Sequence, residues 1–280
     1  MASLKAQTLF EVTSIVAVIT GGGTGIGAHM ARALASNGAH KVYITGRRLE
    51  VLEETAAPFE DIIIPLQGDV SNKDSLKQMA EQVRSEVGYI NLLVANAGML
   101  GPCPRVDTST VSIAEYAKVQ LDIPMEVFTD VLHVNTTGSY YTALAFLELL
   151  DAGNKKGNMG YQCPSQIVLT ASIFSFMRAG AMALVKSMST QYIPYDIRVN
   201  ALAPGFFESA MTENRLQTVR IPQASTGREY KKSFIPQQRT GTEEDIAGAI
   251  LYLASRAGGY VSGSVMMLDG GCISTTPASY

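Results

Sequence analysis

The chain has 280 residues, of which 46% are hydrophobic and 17% are charged, a balance typical of a folded globular protein. Its formal net charge of −3 gives no basic excess for binding phosphate backbones, so nucleic acid is not an expected partner. The longest apolar stretches, such as Tyr140 to Leu150, fall short of the roughly 20 residues that cross a bilayer, so no membrane partner is expected.

The amino-terminal segment and the cysteines indicate the compartment. Lys5 and Glu11 stand where a secretory signal needs an unbroken apolar run, which predicts a cytoplasmic protein. The cysteines Cys103, Cys163 and Cys272 show no CxxC spacing, so we expect buried or unreactive thiols rather than a disulfide framework or a zinc site. The histidines are isolated in sequence, and no metal site is predicted.

Short apolar, β-branched runs alternate with helical stretches along the chain. The predicted strands are Ile15 to Ile19, Val42 to Thr45, Ile62 to Leu66, Leu92 to Ala95, Ile167 to Thr170, Ile197 to Ala201 and Val265 to Leu268. Each run is apolar throughout, which is typical of parallel strands buried on both faces. We therefore expect one α/β domain over residues 1–280, with a Rossmann-type, doubly wound parallel sheet of about seven strands and helices on both faces.

Helical periodicity fills the intervals between these runs. The predicted helices are Ile26 to Asn37, Leu49 to Ala56, Lys73 to Val87, Met125 to Leu150, Ala179 to Tyr192 and a helix after Thr242. Thr242 and Asp245 have the spacing of an N-terminal capping pair, so the last of these helices should begin directly after Thr242.

Two long stretches interrupt the alternation. Gly101 to Pro124 follows the fourth predicted strand, and Phe206 to Arg239 follows the sixth. Because open α/β sheets bind ligands at the carboxyl ends of their strands, we assign both stretches to substrate recognition, with residues 206–239 forming a lid. The alternative is that both are surface loops without a functional role.

A glycine-rich turn follows the first predicted strand directly. The sequence TGGGTGIG runs from Thr20 to Gly27 and leads into a helical segment. Glycines let the backbone approach a pyrophosphate, and the free N–H groups and dipole of the following helix favour its negative charge. The candidate cofactor-binding residues in this turn are Gly21, Thr24, Gly25, Ile26 and Gly27. A purely structural glycine turn is the alternative.

The end of the second strand indicates which dinucleotide binds. Folds that use NAD commonly place an acid about twenty residues after the glycine turn, but this chain has Arg47 and Arg48 there. Two guanidinium groups can bind a 2′-phosphate through charge-assisted hydrogen bonds, which favours NADP(H) over NAD(H). Alternatively, both arginines pair with Glu50 or Glu53 on the helix surface.

Further short motifs occur at or near the ends of the other predicted strands. They are GDV at 68–70, ANAG at 95–98, HVNTTG at 133–138, AS at 171–172, IRVNALAPG at 197–205 and GSVMMLDGG at 263–271. Together with the glycine turn, and in this order, they resemble the short-chain dehydrogenase/reductase superfamily from about Leu9 to Gly271. The segments VYITGRRLEVLEE and AFLELLDAGNKKGN resemble members from filamentous fungi, where such reductases often serve specialised metabolism.

The resemblance implies further cofactor contacts. Asp69 would hold the adenine amino group, and Val70 would lie against the adenine ring. The residues that would pass beside the adenosine ribose are Asn96, Ala97 and Gly98, and those that would border the nicotinamide are Pro204 and Gly205.

It also implies two catalytic roles. Asn135 would fix the water chain of a proton relay, and Ser172 would donate a hydrogen bond to the substrate oxygen. The structural alternatives are that Asn135 only interrupts a helix and that Ser172 only caps one.

The family pattern breaks at its catalytic tyrosine and lysine. The family places the tyrosine about thirteen residues after the serine and the lysine four further on, because i, i+4 spacing puts both on one helix face. Counted from Ser172, those positions hold Val185 and Ser189. Aligned on the later helix instead, they hold Phe174 and Arg178, and about a dozen residues of the family's YxxxK region are missing.

This loss leaves two hypotheses for function. The tyrosine normally passes a proton to the substrate oxygen, and the lysine lowers its pKa. The first hypothesis is an NADP(H)-dependent ketone reductase or secondary-alcohol dehydrogenase that acts on a small molecule as a homodimer or homotetramer. The second is a catalytically impaired NADP(H)-binding pseudoenzyme, arising from a natural deletion, a splice form or an error in gene prediction. Tyr192 and Tyr195 lie far along the helix, and we expect both to be packing residues.

Overall fold

Seven strands form one parallel sheet in the computed structural model, which describes residues 4–102, 110–173, 179–209, 212, 216–217, 220–221 and 228–275. The strands are β1 (Val16–Thr20), β2 (Lys41–Gly46), β3 (Ile63–Gln67), β4 (Leu92–Ala95), β5 (Gln166–Thr170), β6 (Arg198–Pro204) and β7 (Val265–Leu268). Their order in the sheet is β3-β2-β1-β4-β5-β6-β7, and every neighbouring pair is parallel. The predicted doubly wound, Rossmann-type sheet is confirmed.

Helices cover both faces of this sheet. They are α1 (Ala6–Leu9), α2 (Gly25–Ser36), α3 (Leu49–Ala56), α4 (Lys73–Glu86), α5 (Ile113–Leu121), α6 (Met125–Leu132), α7 (Ser139–Lys156), α8 (Ala179–Gln191) and α9 (Glu243–Ala254). The core on one face contains buried side chains of α2, α3 and α9, such as Leu34 and Ile250. The core on the other face contains those of α4, α7 and α8, such as Phe146 and Val185. The continuous apolar runs are thus buried from both sides, as predicted.

The capping pair at the start of α9 is also confirmed. The Thr242 side chain accepts a hydrogen bond from the Asp245 N–H, and the Asp245 carboxylate accepts one from the Thr242 N–H. Arg239 forms an ion pair with the same carboxylate, at 2.6 Å between Nη1 and Oδ2. These contacts fix the point where the chain leaves the proposed lid, residues 206–239, and enters α9.

Two predicted stretches differ from the structure. The helix predicted from Met125 to Leu150 is divided into α6, a π-helical segment (His133–Gly138) and α7, which continues to Lys156. Threonines and a glycine, which are poor helix formers, occupy the end of that segment. The stretch Gly101 to Pro124, for which no helix was predicted, contains α5, which begins at a capping box of Ser112 and Glu115. The S-x-x-E pattern is the sequence signal for that helix.

The remaining global expectations concern membranes, thiols and metals. None of the described helices is long and apolar enough to cross a bilayer. Cys163 and Cys272 are free and buried, as expected, and Cys103 lies outside the described residues. Within the described ranges, no three histidine, cysteine or acidic side chains come together as a metal site.

Candidate active site

The glycine turn joins β1 to α2 at the carboxyl edge of the sheet. Gly21 and Gly25 have φ angles of +64° and +53°, a left-handed conformation that residues with a Cβ rarely adopt. A Cβ on Gly27 would lie 2.3 Å from the Gly21 carbonyl oxygen, so α2 can begin this close to the turn only with glycine there. Thr24 occupies the N-cap position of α2 without a side-chain capping bond, and Ile26 lies in the first turn of the helix. The turn therefore directs the amino end of α2 towards the strand ends, where an anion is favoured.

Asn96 holds this turn in place from the end of β4. Its Nδ2 donates to the carbonyl oxygens of Thr20 at 3.0 Å and Gly21 at 3.2 Å. The Thr20 hydroxyl oxygen accepts from the N–H groups of Asn96 and Ala97, both at 3.0 Å. The Asn96 amide nitrogen thus supports the glycine turn through two bonds to its main chain.

A cavity of about 250 Å³ lies at the carboxyl ends of β1 to β4. It brings together predicted residues from all four strand ends. Among its lining residues are Gly21, Thr24, Arg47, Arg48, Asp69, Val70, Ala97 and Gly98. The strand order reverses between β1 and β4, and doubly wound sheets bind ligands at this switch point. The cavity is therefore the candidate cofactor site.

Two arginines form one wall of the cavity. Arg48 occupies the N-cap position of α3 without a side-chain capping bond, and the Arg47 carbonyl accepts a hydrogen bond from Gln67 Nε2 at 2.9 Å. In the described part of the chain, neither guanidinium forms an ion pair or a hydrogen bond, so the alternative pairing with Glu50 or Glu53 is not found. Two unpaired cations beside a cavity attract an anionic ligand.

The Thr45 hydroxyl indicates that this cavity suits a polar ligand. Thr45 lines it, is 1% exposed, and its Oγ1 has no hydrogen-bond partner among the described residues. A buried hydroxyl without a partner costs about 1–3 kcal/mol, which a polar ligand in the cavity would recover. The unpartnered hydroxyl, the glycine turn and the two guanidiniums all fit a phosphorylated nucleotide.

Asp69 provides a carboxylate at the adenine end that the resemblance implies. Its Oδ1 accepts hydrogen bonds from the Ser71 N–H at 2.9 Å and the Ser71 hydroxyl at 2.6 Å. Burial alone would raise the pKa of Asp69, but the Ser71 hydrogen bonds and the charges of Arg47 and His133 hold it below its usual value. The carboxylate is therefore ionised at neutral pH and can accept a hydrogen bond from an amino group.

Asn135 lies in the π-helical segment and bonds to the end of β4. Its Oδ1 accepts from the Met99 N–H at 2.9 Å, and its Nδ2 donates to the Met99 carbonyl at 3.0 Å. Both the oxygen and the nitrogen of the Asn135 side-chain amide therefore bond to the main chain of Met99. The Asn135 carbonyl accepts from the Ser139 hydroxyl at 2.9 Å. The interruption of the helix expected as the alternative is present, and it aims Asn135 at the carboxyl edge of the sheet.

Ser172 follows β5 beside the end of β6. Its neighbour Ile173 donates its N–H to the Pro204 carbonyl at 3.3 Å, and the Gly205 N–H donates to the Leu268 carbonyl at 2.8 Å. A Cβ on Gly205 would lie 2.7 Å from Asp269 Cβ, so the chain ends after β6 and β7 approach closely there. Ser172, Pro204 and Gly205 thus share one edge, beyond the described lining of the 250 Å³ cavity.

A small third core covers this edge. Ile173, Phe206, Leu216, Tyr230, Ile235 and Cys272 form one buried cluster. The Phe206 ring lies 5.0 Å from the Phe234 ring, between centroids. Outside the cluster, Arg220 pairs with Glu208 at 3.4 Å and with Glu229. Described residues from 206–239 therefore cover the strand ends with apolar and aromatic side chains.

The family's proton donor has no counterpart in the described part of α8. Val185 is fully buried, and Ser189 donates its hydroxyl to the Lys186 carbonyl at 3.1 Å. Phe174 and Arg178 lie outside the described residues. The amine of Lys186 donates to the Gly263 carbonyl, which precedes β7 and lies at the opposite, amino edge of the sheet.

Tyr192 and Tyr195 lie at that amino edge as well, just before β6. Tyr192 is buried in the core, and burial raises the pKa of its hydroxyl, with a smaller contribution from Tyr140. Both tyrosines are thus far from the strand ends that carry Ser172. Tyr192 is a packing residue, as expected, whereas Tyr195 is 53% exposed, so that expectation is wrong for Tyr195.

Three supporting residues were not among the site residues predicted from the sequence. Thr20 holds the β4 end, Ser71 holds the Asp69 carboxylate, and Met99 holds the Asn135 amide. Ser71 had a recognisable signal, because a serine two residues after an aspartate often bonds back to its carboxylate. Met99 acts through its main chain, so no side-chain pattern could reveal it.

Known proteins are similar in sequence to this chain over nearly its full length. The profile of a family described as enoyl-(acyl carrier protein) reductase matches residues 21–273. The short-chain dehydrogenase/reductase PhomF of Diaporthe leptostromiformis is 42% identical over 292 aligned positions, covering 99% of this chain and 98% of PhomF. The short-chain dehydrogenase/reductase VdtF of Byssochlamys spectabilis is 38% identical over 314 positions, covering 99% of each chain.

Solved structures agree with these relatives. A short-chain type dehydrogenase/reductase from Mycobacterium marinum has 28% identity and a TM-score of 0.77, over 98% of this chain and 100% of that one. A gluconate 5-dehydrogenase from Burkholderia cenocepacia, solved with NADP and tartrate, has 25% identity and a TM-score of 0.74, over 96% and 99% of the two chains. On sequence and fold together, the chain belongs to the short-chain dehydrogenase/reductase family of oxidoreductases.

Proposed function

We propose that the chain binds NADP(H) in the cavity at the ends of β1 to β4, as an oxidoreductase of ketones or secondary alcohols. The observation that carries this proposal is a pair of guanidiniums beside the glycine turn, those of Arg47 and Arg48, which form no ion pair with any described residue. Each can donate charge-assisted hydrogen bonds to the 2′-phosphate that NADPH has and NADH lacks. NADP in the related gluconate 5-dehydrogenase structure supports the same choice here.

In this proposal different residues of the cavity bind different parts of the cofactor. The glycine turn and the amino end of α2 hold the pyrophosphate, and Asp69 and Val70 hold the adenine. Ala97 and Gly98 lie along the adenosine ribose, with Asn96 holding the turn behind them. When bound, the nicotinamide supplies or accepts a hydride.

The substrate side depends on fewer groups. Ser172 donates a hydrogen bond to the substrate oxygen, and Pro204 and Gly205 border the nicotinamide. The Met99 main chain occupies both polar atoms of the Asn135 side-chain amide. Asn135 would therefore contact a proton relay through its own main chain. Residues 206–239 act as a lid whose apolar inner face excludes water from a small-molecule substrate.

A second candidate function is cofactor binding without ordinary turnover. It is favoured by α8, where Val185 and Ser189 stand at the family's tyrosine and lysine spacing from Ser172. The alignments with PhomF and VdtF run over 292 and 314 positions, more than the 280 residues of this chain, so both relatives carry residues without a counterpart here. We therefore expect NADP(H) binding with at most feeble reduction. An in-frame genomic segment encoding YxxxK near codon 173 would indicate a splice form or an error in gene prediction.

Isothermal titration of the unmodified chain with NADPH and NADH tests the binding proposal. The bonds to the 2′-phosphate should be worth on the order of 2–4 kcal/mol, so NADPH should bind tens-fold or more tightly than NADH. Equal affinities for the two nucleotides, or no binding of either, would contradict the proposal.

We further infer a homodimer or homotetramer in the cytoplasm, serving fungal specialised metabolism. Tyr141 and Leu144, which are 38% and 39% exposed on α7, give this helix an apolar surface for a second copy. We expect self-association through α6, α7 and α8 at micromolar concentration in analytical ultracentrifugation. A stable 30 kDa monomer would contradict it.

A further inference from the structure

His133 begins the π-helical segment and reaches the loop that follows β3. Its Nε2 lies 3.2 Å from the Ser71 carbonyl oxygen. Because a carbonyl only accepts, this ring nitrogen must carry the hydrogen. Ser71 in turn holds Asp69 Oδ1 through its N–H and its hydroxyl. His133 is thus one residue removed from the carboxylate at the proposed adenine site.

The π-helical segment and this loop form one wall of the cavity. Val134 and Val70 both line the cavity. A Cβ on Gly138 would lie 3.1 Å from the Val70 carbonyl oxygen, so the helix lies directly against the loop. The His133 side chain adds a hydrogen bond across this contact. It is exposed and belongs to none of the three apolar cores, so its contribution is local.

We propose that His133 is a positioning residue for the adenine half of the cofactor. Its hydrogen bond joins the loop 69–71 to the π-helical segment. This contact holds the second oxygen of Asp69 in place for the adenine amino group. This inference rests on the proposed NADP(H) site and extends it to a residue to which the resemblance assigns no role. The histidine acts through Ser71 and Asp69 and does not itself contact the reacting atoms.

Fragments of the cofactor separate this role from a general effect on folding. We would titrate the full chain and its variants with NADPH, with adenosine 2′,5′-bisphosphate as the adenine half, and with reduced nicotinamide mononucleotide. His133→Leu removes the donor, and His133→Gln keeps an N–H donor at a similar distance from the backbone. His40→Leu, at another exposed histidine, is the matched control. His133→Ala is made in parallel, in case the leucine variant does not fold.

His133→Leu should bind NADPH and the adenosine bisphosphate about five-fold more weakly, the ratio expected for one lost hydrogen bond. Its affinity for the nicotinamide fragment should not change, and His133→Gln should stay within about two-fold of wild type. If His133→Leu or His133→Ala binds the adenosine bisphosphate as tightly as wild type, or if His133→Gln is as weak as His133→Leu, the inference is wrong while the proposed function stands. If the wild-type chain itself binds neither NADPH nor the adenosine bisphosphate, the proposed function fails and this inference fails with it.

Discussion

The nucleotide half of the molecule, β1 to β4, and the substrate half, β5 to β7, differ in how completely their side chains are assembled. In the first half, four strand ends converge on one cavity, and Asn96 and Thr20 tie two of them together. In the second, Ser172 and Pro204 share an edge, but α8 brings no tyrosine or lysine of the family spacing to it. We therefore expect cofactor binding and proton transfer to be separable in this chain.

The strands of the second half show no matching loss of burial or pairing. β5 and β6 are buried at every position and pair over their full common length, from Gln166 to Thr170 on β5. Ala181, Val185 and Met188 of α8 remain in the core against them. Because the hydrophobic face of α8 is retained, its packing does not depend on the YxxxK segment.

Restoring the proton donor should have the largest effect. We expect that inserting about a dozen residues with a YxxxK turn between Arg178 and Ala179, taken from the sequence of a relative, raises the rate of NADPH oxidation by about 10² to 10⁴, the usual contribution of general acid catalysis. A panel of ketones provides the substrates. The same insertion with phenylalanine in place of the tyrosine is the control and should stay slow. An equal gain from both insertions would mean that the restored geometry, and not the tyrosine as proton donor, raises the rate.

The next largest effect should come from the nucleotide half. Arg47→Ala combined with Arg48→Ala should weaken NADPH binding by on the order of 2–4 kcal/mol, because the charge-assisted bonds to the 2′-phosphate are lost. The NADH affinity should hardly change, since NADH has no such phosphate. Titration calorimetry measures both. Parallel losses for both nucleotides would mean that the arginines act on the fold or on the pyrophosphate.

Asn96→Ala should damage the contact that joins β4 to the glycine turn. Removal of its bonds to the Thr20 and Gly21 carbonyls should lower the free energy of unfolding by about 1–3 kcal/mol and weaken NADPH binding as well. Asn37→Ala, which removes a bond to Ala33 at the exposed end of α2, is the matched control. Urea denaturation should show a much smaller loss for it. An Asn96→Ala chain that retains wild-type affinity for NADPH would show that the turn needs no support from β4.

The smallest expected effect concerns Asp245, at the exit of the lid. Its pKa is lowered to about 2, first by the Arg239 hydrogen bonds and also by the Thr242 N–H. A lowered pKa contributes stability above the unfolded value of about 3.9, and that stability is lost as pH falls through about 2. Because both partners are partly exposed, Asp245→Asn should cost only about 1 kcal/mol at pH 7, and the difference from wild type should vanish near pH 2. Thermal unfolding against pH measures it, with exposed Asp61→Asn as the control; a pH-independent difference would rule out this ionisation.

Much of the nucleotide half could be predicted from sequence because its signals are local. The glycine turn, Arg47 and Asp69 each follow directly after an apolar run, so their place at the strand ends follows from the pattern. The π-helical segment could not be predicted as such, because Asn135 and the threonines indicate an interruption of the helix but residue type does not indicate the wider π turn. The Asn96 and Asn135 bonds join positions far apart in sequence and end on main-chain atoms, which leave no mark on residue type.

We propose that this chain binds NADPH and that its described residues position no proton donor beside Ser172. The most direct measurement is NADPH affinity and carbonyl-dependent NADPH oxidation on one sample of the unmodified chain. We expect clear binding, with oxidation at least about 100-fold slower than in the YxxxK insertion variant. This proposal would be contradicted by turnover of the unmodified chain at ordinary rates, on the order of 1 to 10³ per second, that Ser172→Ala abolishes.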